Sequence, residues 1–335
     1  MRLPAWVQVR LSGGRPVRID GQTLDPQFQL LCSLRRLRSR YGLCEPGPAE
    51  ARARFGREAR MHAGRLTPVG AVRDFAIRGP AGPLPVRHYA PPGGGPRPLL
   101  VYLHGGGYVL GDVESYDAPC RLLCRHAGMH LLSVEYRLAP EHRFPAALED
   151  AAAALRWAQS NAAALSADPG CVSLGGDSAG AALTAVISRE AARAGAAPAA
   201  QLLIYPPTDS QTERPSQTLF GDGLLLTTRD RGQFARHYTE GTGFSDAHPR
   251  ISPLREPDLA GLPPALVVTA AFDLLRDEGE AYAAALRSAG TPAKLVRVPG
   301  LGHGFVNLTG VSPAAREALA GVARDFHALV DSLPR

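Results

Sequence analysis

Leu174-Gly175-Gly176-Asp177-Ser178-Ala179-Gly180 is the stretch that decides the fold of this 335-residue chain. A short apolar run, Cys171 to Leu174, leads into it and is typical of a buried strand. The apolar stretch Ala181 to Ile187 follows it and is long enough to begin a helix. A strand, a G-x-S-x-G pentapeptide and a helix in this order predict a nucleophile elbow, a sharp turn that carries a reactive serine.

The elbow makes Ser178 the candidate nucleophile, because the turn projects its hydroxyl from the edge of a sheet. We expect Gly176 and Gly180 to be required there, since β-carbons at these positions would collide with the neighbouring strand and helix. The helix that begins after Ser178 would aim its free N–H groups and the positive end of its dipole at developing negative charge.

Length and composition favour one large α/β domain with an insertion or cap over two equal domains. The net charge is +6, but nearly all of the basic residues are arginines, with Lys294 the only lysine, and they are spread along the chain. The cluster from Arg35 to Arg40 has apolar neighbours at helical spacing and is interpreted as a solvated helix face. We therefore predict no nucleic-acid partner.

The cysteines, the N-terminus and the hydropathy indicate a soluble, cytoplasmic protein. The five cysteines are too few and too scattered for a disulfide framework, and no second Cys/His pair completes a metal site near Cys120 and Cys124. They are expected to be buried thiols in a reducing compartment. The N-terminus lacks the apolar segment of a signal peptide, and no run reaches the roughly 18 residues that span a bilayer, so no stable membrane insertion is predicted.

Apolar runs without alternation recur along the chain and predict the strands of a parallel sheet buried on both faces. They are Pro98 to Leu103, Met129 to Val134, Cys171 to Leu174, Leu202 to Tyr205, Ala265 to Thr269 and Lys294 to Val298. Helical stretches are predicted at Ser115 to His126, Ala146 to Ala164, Ala179 to Arg193 and Glu278 to Ser288. The alternating runs Val72 to Ile77 and Leu84 to Tyr89, with Gly and Pro between them, predict a hairpin.

The remaining segments carry helices but no core strand. Residues 1–65 show helical apolar spacing interrupted by prolines, which predicts two or three helices. Some sixty residues between Pro206 and Pro264 also lack a core-type strand, and they hold a predicted helix near Thr227 to Tyr238. We expect these two segments to form a cap.

The run His104-Gly105-Gly106-Gly107-Tyr108 directly follows the strand that ends at Leu103. Acyl transfer through a tetrahedral oxyanion needs two or three N–H donors aimed at one point, and a glycine run allows that close approach. We predict an oxyanion hole formed by two of Gly105, Gly106 and Gly107 together with the N–H of Ala179. The alternative is a flexible loop after a strand.

A carboxylate and a histidine follow the last two predicted strands. Asp273 comes just after the strand that ends at Thr269, where a group that orients a histidine is expected, and Asp277 is the alternative. His303 lies between two glycines after the strand that ends at Val298. Ser178, Asp273 and His303 thus occur in the chain order of a hydrolase triad, which predicts that they are the catalytic residues.

Several motifs occur together in this chain and resemble those of one family. They are His104-Gly-Gly-Gly-Tyr108, Tyr136-Arg-Leu-Ala-Pro-Glu141, Phe144-Pro-Ala-Ala147, Gly176-Asp-Ser-Ala-Gly180, Tyr205-Pro206 with Thr208-Asp209, Ile251-Ser-Pro-Leu254, Leu275-Arg-Asp-Glu-Gly279 and His303-Gly-Phe305. From about residue 70 to the end, the chain resembles the hormone-sensitive-lipase-like esterases, the bacterial family IV branch of the α/β-hydrolases.

The resemblance implies an α/β-hydrolase fold, a mostly parallel eight-stranded sheet flanked by helices, with a helical cap. Residues 1–65 would then be the N-terminal helices of the cap, 66–206 the first part of the core, 207–263 the cap insertion and 264–335 the second part of the core. Two departures from the family are Ala181, where a further glycine is common, and Leu274, where a proline is common.

The resemblance implies that the protein is a serine carboxylesterase. It would hydrolyse short- to medium-chain acyl esters through an acyl-enzyme, without a cofactor or metal. Its partner would be a small-molecule ester, and a homodimer is plausible. Two alternatives stay open: an amidase or deacetylase acting on a small metabolite, and a non-catalytic ligand-binding member of the same fold. The presence of His303 favours an enzyme. Asp177, Arg137 and Glu141 are interpreted as residues that brace the site.

Overall fold

An eight-stranded sheet forms the centre of the computed structural model, which describes residues 3–38 and 42–334. A separate two-stranded hairpin, β1 (Arg18–Ile19) and β2 (Gln22–Thr23), lies near the N-terminus. The strands of the large sheet are β3 (Ala71–Gly79), β4 (Gly82–Ala90), β5 (Arg97–Leu103), β6 (His130–Val134), β7 (Ala167–Asp177), β8 (Gln201–Ile204), β9 (Ala265–Phe272) and β10 (Ala293–Gly302).

The strand order in the large sheet is β10-β9-β8-β7-β5-β6-β4-β3. Strands β5 to β10 run parallel to one another, whereas β4 pairs antiparallel with both β3 and β6. Every residue of β6, β8 and β9 is buried, as expected for strands with helices on both faces. The mostly parallel eight-stranded sheet and the β3–β4 hairpin predicted from the sequence are confirmed.

Helices cover both faces of the sheet. They are α1 (Ala5–Leu11), α2 (Pro26–Arg38), α3 (Pro48–Ala63), α4 (Asp117–Ala127), α5 (Ala146–Asn161), α6 (Ala179–Arg193), α7 (Pro215–Phe220), α8 (Thr228–Thr239), α9 (Arg276–Ser288) and α10 (Pro313–Asp331). Helices α5, α6 and α9 pack on one face and α4 packs with α10 on the other. Short 3-10 turns occur at Ala162–Leu165, Pro253–Arg255 and Phe305–Leu308.

The structure adds two helices that the sequence analysis did not predict, α7 and α10. Helix α10 begins where the Ser312 hydroxyl accepts a hydrogen bond from Ala315 N, and Pro313 occupies its first turn. Its buried residues include Leu319, Val322 and Phe326, which recur at helical spacing. The elbow strand β7 is also longer than predicted, because it begins at Ala167.

The parallel strands bring the motif residues to one edge of the sheet. His104 follows β5, Ser178 follows β7, Asp273 follows β9 and His303 follows β10. Because these four strands run in the same direction, their carboxyl ends meet at that edge, which is where open α/β sheets bind ligands.

The N-terminal helices and the 207–263 segment contact each other. Leu43 N donates to Asp230 Oδ1 of α8 over 2.6 Å, and Gln233 of α8 donates to the Glu45 carboxylate over 2.7 Å. Buried residues of α2, including Phe28 and Cys32, belong to the same hydrophobic cluster as the sheet. The boundaries of cap and core stay a prediction.

None of the helices in the described ranges is long and apolar enough to cross a bilayer.

Candidate active site

Ser178 occupies the sharp turn between β7 and α6, with φ 51° and ψ −122°. This backbone conformation lies outside the favoured regions for an L-residue, as a nucleophile elbow requires. A β-carbon at either Gly176 or Gly180 would collide with the carbonyl oxygen of Leu103 on β5. The expectation that both positions need glycine is therefore confirmed.

Ser178, His303 and Asp273 form a continuous chain of hydrogen bonds. Ser178 Oγ lies 2.9 Å from His303 Nε2, and His303 Nδ1 lies 2.8 Å from Asp273 Oδ2. In the tautomer that donates Nδ1–H to Asp273, Nε2 accepts the hydrogen bond from the serine hydroxyl. This geometry can withdraw the proton from Ser178 when its oxygen attacks a carbonyl.

Asp273, and not Asp277, faces the imidazole of His303. The Asp273 side chain is buried, and its second oxygen accepts a hydrogen bond from Leu275 N over 2.9 Å, which fixes the carboxylate. Asp277 instead accepts hydrogen bonds from Ser216 N and from Arg276, each over 2.8 Å. Its carboxylate is thus engaged elsewhere.

The three glycines after His104 play different parts in the loop. Gly105 N donates to Asp177 Oδ1 over 2.9 Å, so this N–H is already satisfied and is not free for a substrate. Gly106 has φ 116°, and its carbonyl accepts from Leu110 N over 2.8 Å. Gly107 packs so closely against the Phe234 ring of α8 that a β-carbon would overlap it. Ala179 begins α6, where the first N–H groups have no intrahelical partner.

The Asp177 carboxylate holds the start of the glycine loop. Besides the Gly105 N–H it accepts hydrogen bonds from three tyrosine hydroxyls, Tyr102 over 2.9 Å, Tyr205 over 3.1 Å and Tyr116 over 3.2 Å. Burial raises the pKa of the Asp177 carboxyl to about 6, although these hydrogen bonds oppose the shift. The carboxylate fixes β5, β7 and the loop to one another.

The Tyr136 to Glu141 segment contacts the loop from outside the reacting centre. The Tyr136 hydroxyl donates to the carbonyl of His104 over 2.6 Å, and the two rings stack with centroids 4.3 Å apart. Arg137 pairs with Asp150 over 2.9 Å, and Glu141 pairs with Arg52 of α3 over 2.6 Å. These contacts support the interpretation that the segment braces the site.

Glu278 is a buried charged residue whose environment the sequence analysis did not find. Its side chain is fully buried and lies 2.9 Å from the Arg231 guanidinium of α8. It also accepts a hydrogen bond from Thr208 N over 2.9 Å. Burial raises the pKa of the Glu278 carboxyl to about 7, and Arg231 opposes that shift. The pair joins α9 to the 207–263 segment.

A cavity of about 390 Å³ opens onto Ser178 and His303. Its walls are mainly apolar and come from the glycine loop, the N-terminal helices and the 207–263 segment. The apolar residues that line it include Leu31, Leu34, Leu43, Phe55, Met61, Leu225, Leu226, Phe234, Tyr238 and Ile251. Such a cavity can hold the apolar part of a small molecule beside the serine hydroxyl.

Comparison with known proteins agrees with this architecture. A family model described as the alpha/beta hydrolase fold matches residues 100–307. The carboxylic ester hydrolase LipN of Mycobacterium tuberculosis is 48% identical over 313 residues, covering 91% of this chain and 83% of LipN. An ethyl acetate hydrolase of Pseudomonas putida is 37% identical over 279 residues, covering 82% and 87% respectively.

Among solved structures, the ester hydrolase EH1AB1 from the metagenome of Lake Arreo superposes with a TM-score of 0.88 and 37% identity. It was determined in complex with a derivative of bipyridine phosphonate, and the match covers 92% of this chain and 100% of that one. This chain belongs to the α/β-hydrolase family, in the hormone-sensitive-lipase-like branch that its motifs resemble.

Proposed function

We propose that Ser178, His303 and Asp273 are the catalytic triad of a serine carboxylesterase. The observation that carries the proposal is the hydrogen-bond chain from Ser178 Oγ through the imidazole to a buried carboxylate. The relatives named as ester hydrolases support the choice of a carboxylic ester as substrate.

In the proposed mechanism Ser178 Oγ attacks the ester carbonyl while His303 Nε2 takes its proton. Asp273 holds the imidazole in the required tautomer and stabilises its positive charge. His303 then protonates the leaving alcohol as the tetrahedral intermediate collapses to an acyl-enzyme. A water molecule then attacks the acyl-enzyme while His303 takes its proton. The carboxylic acid is released as His303 returns the proton to Ser178 Oγ.

The oxyanion of each tetrahedral intermediate would accept hydrogen bonds from the N–H groups of Gly106, Gly107 and Ala179. Gly105 is left out of this set because its N–H donates to Asp177. Its proposed role is structural, since this bond anchors the start of the loop whose next two N–H groups are proposed to donate to the oxyanion. Each correctly aimed donor is worth about 3–4 kcal/mol of transition-state stabilisation.

The proposed substrates are short- to medium-chain acyl esters of small alcohols. The apolar walls and the volume of the cavity support a substrate with an aliphatic chain.

We also propose that residues 1–65 and 207–263 together form the cap over a core made of residues 66–206 and 264–335. The contacts of Asp230 and Gln233 with the 43–45 stretch support one joined cap.

The test is the steady-state hydrolysis of p-nitrophenyl butyrate by Ser178→Ala, with the exposed residue Ser160 changed to Ala as the control. Removing the nucleophile should lower kcat by about 10⁴-fold or more, while circular dichroism shows an intact fold. The S160A variant should retain full activity. Substantial activity in folded S178A would contradict the proposal.

A further inference from the structure

Exposed apolar side chains are concentrated at the N-terminal end of the described chain. Nine large hydrophobic residues are exposed within residues 3–38 and 42–334, and seven of them lie between residues 3 and 66. These seven are Leu3, Trp6, Leu11, Leu34, Leu37, Met61 and Leu66, and Leu37 is 81% exposed. Scattered apolar side chains are normal on a protein surface, but such a concentration in about a fifth of the chain indicates an interaction surface.

Helix α1 buries a polar side chain and exposes large apolar ones, which is the reverse of an ordinary amphipathic surface helix. Its one buried residue is the polar Gln8, and its C-terminal cap Ser12 is held to α2 by polar contacts. Gln29 of α2 donates to the Ser12 hydroxyl over 3.0 Å. Trp6 and Leu11 point to solvent and are 70% and 60% exposed. The helix thus buries a polar side chain and presents its two largest apolar side chains outward, which folding alone does not explain.

The same segment carries the whole net positive charge of the protein. Residues 1–65 contain 13 arginines and five acidic residues, a net charge of +8, whereas residues 66–335 contain 24 basic and 26 acidic residues. The net charge is therefore concentrated in this segment, which corrects the expectation that the arginines are spread evenly along the chain. Arg10, Arg36, Arg57 and Arg60 are exposed on α1, α2 and α3, beside the exposed apolar residues of those helices.

This surface borders the entrance of the cavity. Leu34 and Met61 line the cavity that contains Ser178, and both side chains are also exposed to solvent. We call the exposed apolar and arginine side chains of α1, α2 and α3 the N-terminal face. A molecule that rests on this face would lie at the opening of the cavity.

We propose that the N-terminal face docks the protein reversibly on an anionic lipid surface. Arginines beside outward apolar side chains, tryptophan among them, are the composition of helices that lie in a membrane interface. A second copy of the chain is disfavoured as the occupant, because two faces of the same strong positive charge repel. The docking would bring ester substrates that partition into lipid to the cavity, a consequence that rests on the proposed function.

Binding is tested with the S178A variant, so that no lipid is hydrolysed and the result does not depend on catalysis. The protein is sedimented with vesicles of phosphatidylglycerol and phosphatidylcholine, and with vesicles of phosphatidylcholine alone. We expect binding to the anionic vesicles that weakens as salt is added. Each neutralised exposed arginine, such as Arg36→Gln, should weaken it by about fivefold.

The apolar contribution is tested by the triple variant Trp6→Ser, Leu37→Ser, Met61→Ser. Its control is Leu219→Ser with Phe244→Ser, which changes the two exposed large hydrophobic residues of the 207–263 segment. The triple variant should bind anionic vesicles about tenfold more weakly or worse, and the control should bind as the parent does.

A spectroscopic readout locates the contact. The chain has two tryptophans, so Trp157→Phe leaves Trp6 as the only one. The emission of Trp6 should shift to the blue when anionic vesicles are added. The proposal is overturned by equal binding to both vesicle types, by full binding of the triple variant, or by an unshifted Trp6 in the bound protein. It is also overturned if neither vesicle type binds the protein, and a dimer that the triple variant loses would then identify a second copy of the chain as the occupant.

Discussion

At the scale of single residues, Asp177 connects the nucleophile to the loop that is proposed to bind the oxyanion. It precedes Ser178 in the chain, and it accepts hydrogen bonds from Gly105 N–H and from three tyrosine hydroxyls. Its four donors are neutral, and no cationic side chain within residues 3–38 and 42–334 forms an ion pair with it, so the carboxylate depends on neutral hydrogen bonds for its stabilisation. Its pKa is nevertheless raised to about 6 by burial.

The raised pKa of Asp177 predicts how the free energy of unfolding depends on pH. The ordinary pKa is 3.8, so between that pH and about 6 the folded protein holds a proton that the unfolded chain has released. This contribution to stability is complete below pH 3.8 and is lost as pH rises through 6, amounting to about 3 kcal/mol. In Asp177→Asn it should be absent.

The measurement is urea denaturation of the parent and D177N between about pH 4 and pH 7. The amide oxygen of Asn can still accept from Gly105 and Tyr102, and the other two tyrosine hydroxyls can turn to accept from its N–H. The stability of the parent relative to D177N should fall across this range. A constant or rising difference would show that the buried carboxyl does not titrate there.

The residues of the proposed triad could be predicted because each follows an apolar strand and belongs to a local motif. Ser178 lies in the G-x-S-x-G pentapeptide of the elbow after β7, and Asp273 and His303 follow β9 and β10. The partner of Gly105 could not be predicted, because its bond to Asp177 joins residues 72 positions apart. The burial of Glu278 was missed for a similar reason, since its partner Arg231 lies in another segment.

At the scale of elements, Arg52 joins α3 to the core. It donates to the carbonyls of Val109 over 2.7 Å and Ala139 over 2.8 Å, and it binds both oxygens of Glu141. The two carbonyls belong to the stretches that follow the glycine loop and Tyr136. One side chain therefore ties an N-terminal helix to both supports of the active site.

Replacing Arg52 should loosen α3 from these supports. Arg52→Ala removes hydrogen bonds from a charged group to two carbonyls, so we expect the free energy of unfolding to fall by about 2 kcal/mol. Arg57→Ala changes an exposed arginine of the same helix and serves as the control, with an expected effect near zero. Equal effects of R52A and R57A in urea titrations would mean that the contacts of Arg52 contribute nothing to stability.

The sequence predicts the central elements well and the peripheral ones poorly. Strands β5, β6, β8 and β9 are short apolar runs between helices. In a chain of this length, few folds other than a parallel sheet covered on both faces fit this pattern. Helix α7 has only six residues and is held by Ser216, which contacts Leu274 and, in the first turn of α9, Asp277. Its formation depends on that tertiary contact, so local propensity does not reveal it.

Helix α10 is a different case, because a start signal was present in the sequence. Ser312 followed by Pro313 is a typical helix start, and Leu319, Val322, Phe326 and Val330 recur on one buried face. The local sequence of this segment is therefore sufficient to indicate the helix.

At the scale of the whole molecule, the N-terminal segment shares its hydrophobic core with the sheet. Leu24, Phe28 and Cys32 are buried in the same cluster as Leu103 of β5 and Phe272 of β9. The arrangement of this segment could not be predicted, because its helices have apolar faces without any signal for what they cover. The structure places the apolar faces of α2 and α3 against the core and against residues of the 207–263 segment, whereas α1 turns Trp6 and Leu11 outward.

The shared core predicts cooperative unfolding of the N-terminal segment with the rest of the protein. In a Trp6→Phe variant the fluorescence of Trp157 on α5 reports on the sheet domain, and far-ultraviolet circular dichroism reports on all helices. The two signals should give the same urea midpoint. An earlier transition by circular dichroism would indicate that residues 1–65 melt separately.

The most direct test of the central claim is covalent trapping with diethyl p-nitrophenyl phosphate. Ser178 Oγ should attack phosphorus and expel p-nitrophenolate, which leaves one diethylphosphoryl group per chain and abolishes ester hydrolysis in parallel. Peptide mass spectrometry should locate the group on Ser178, and S178A should remain unlabelled. A label on another residue, or continued ester hydrolysis by fully labelled protein, would contradict the account.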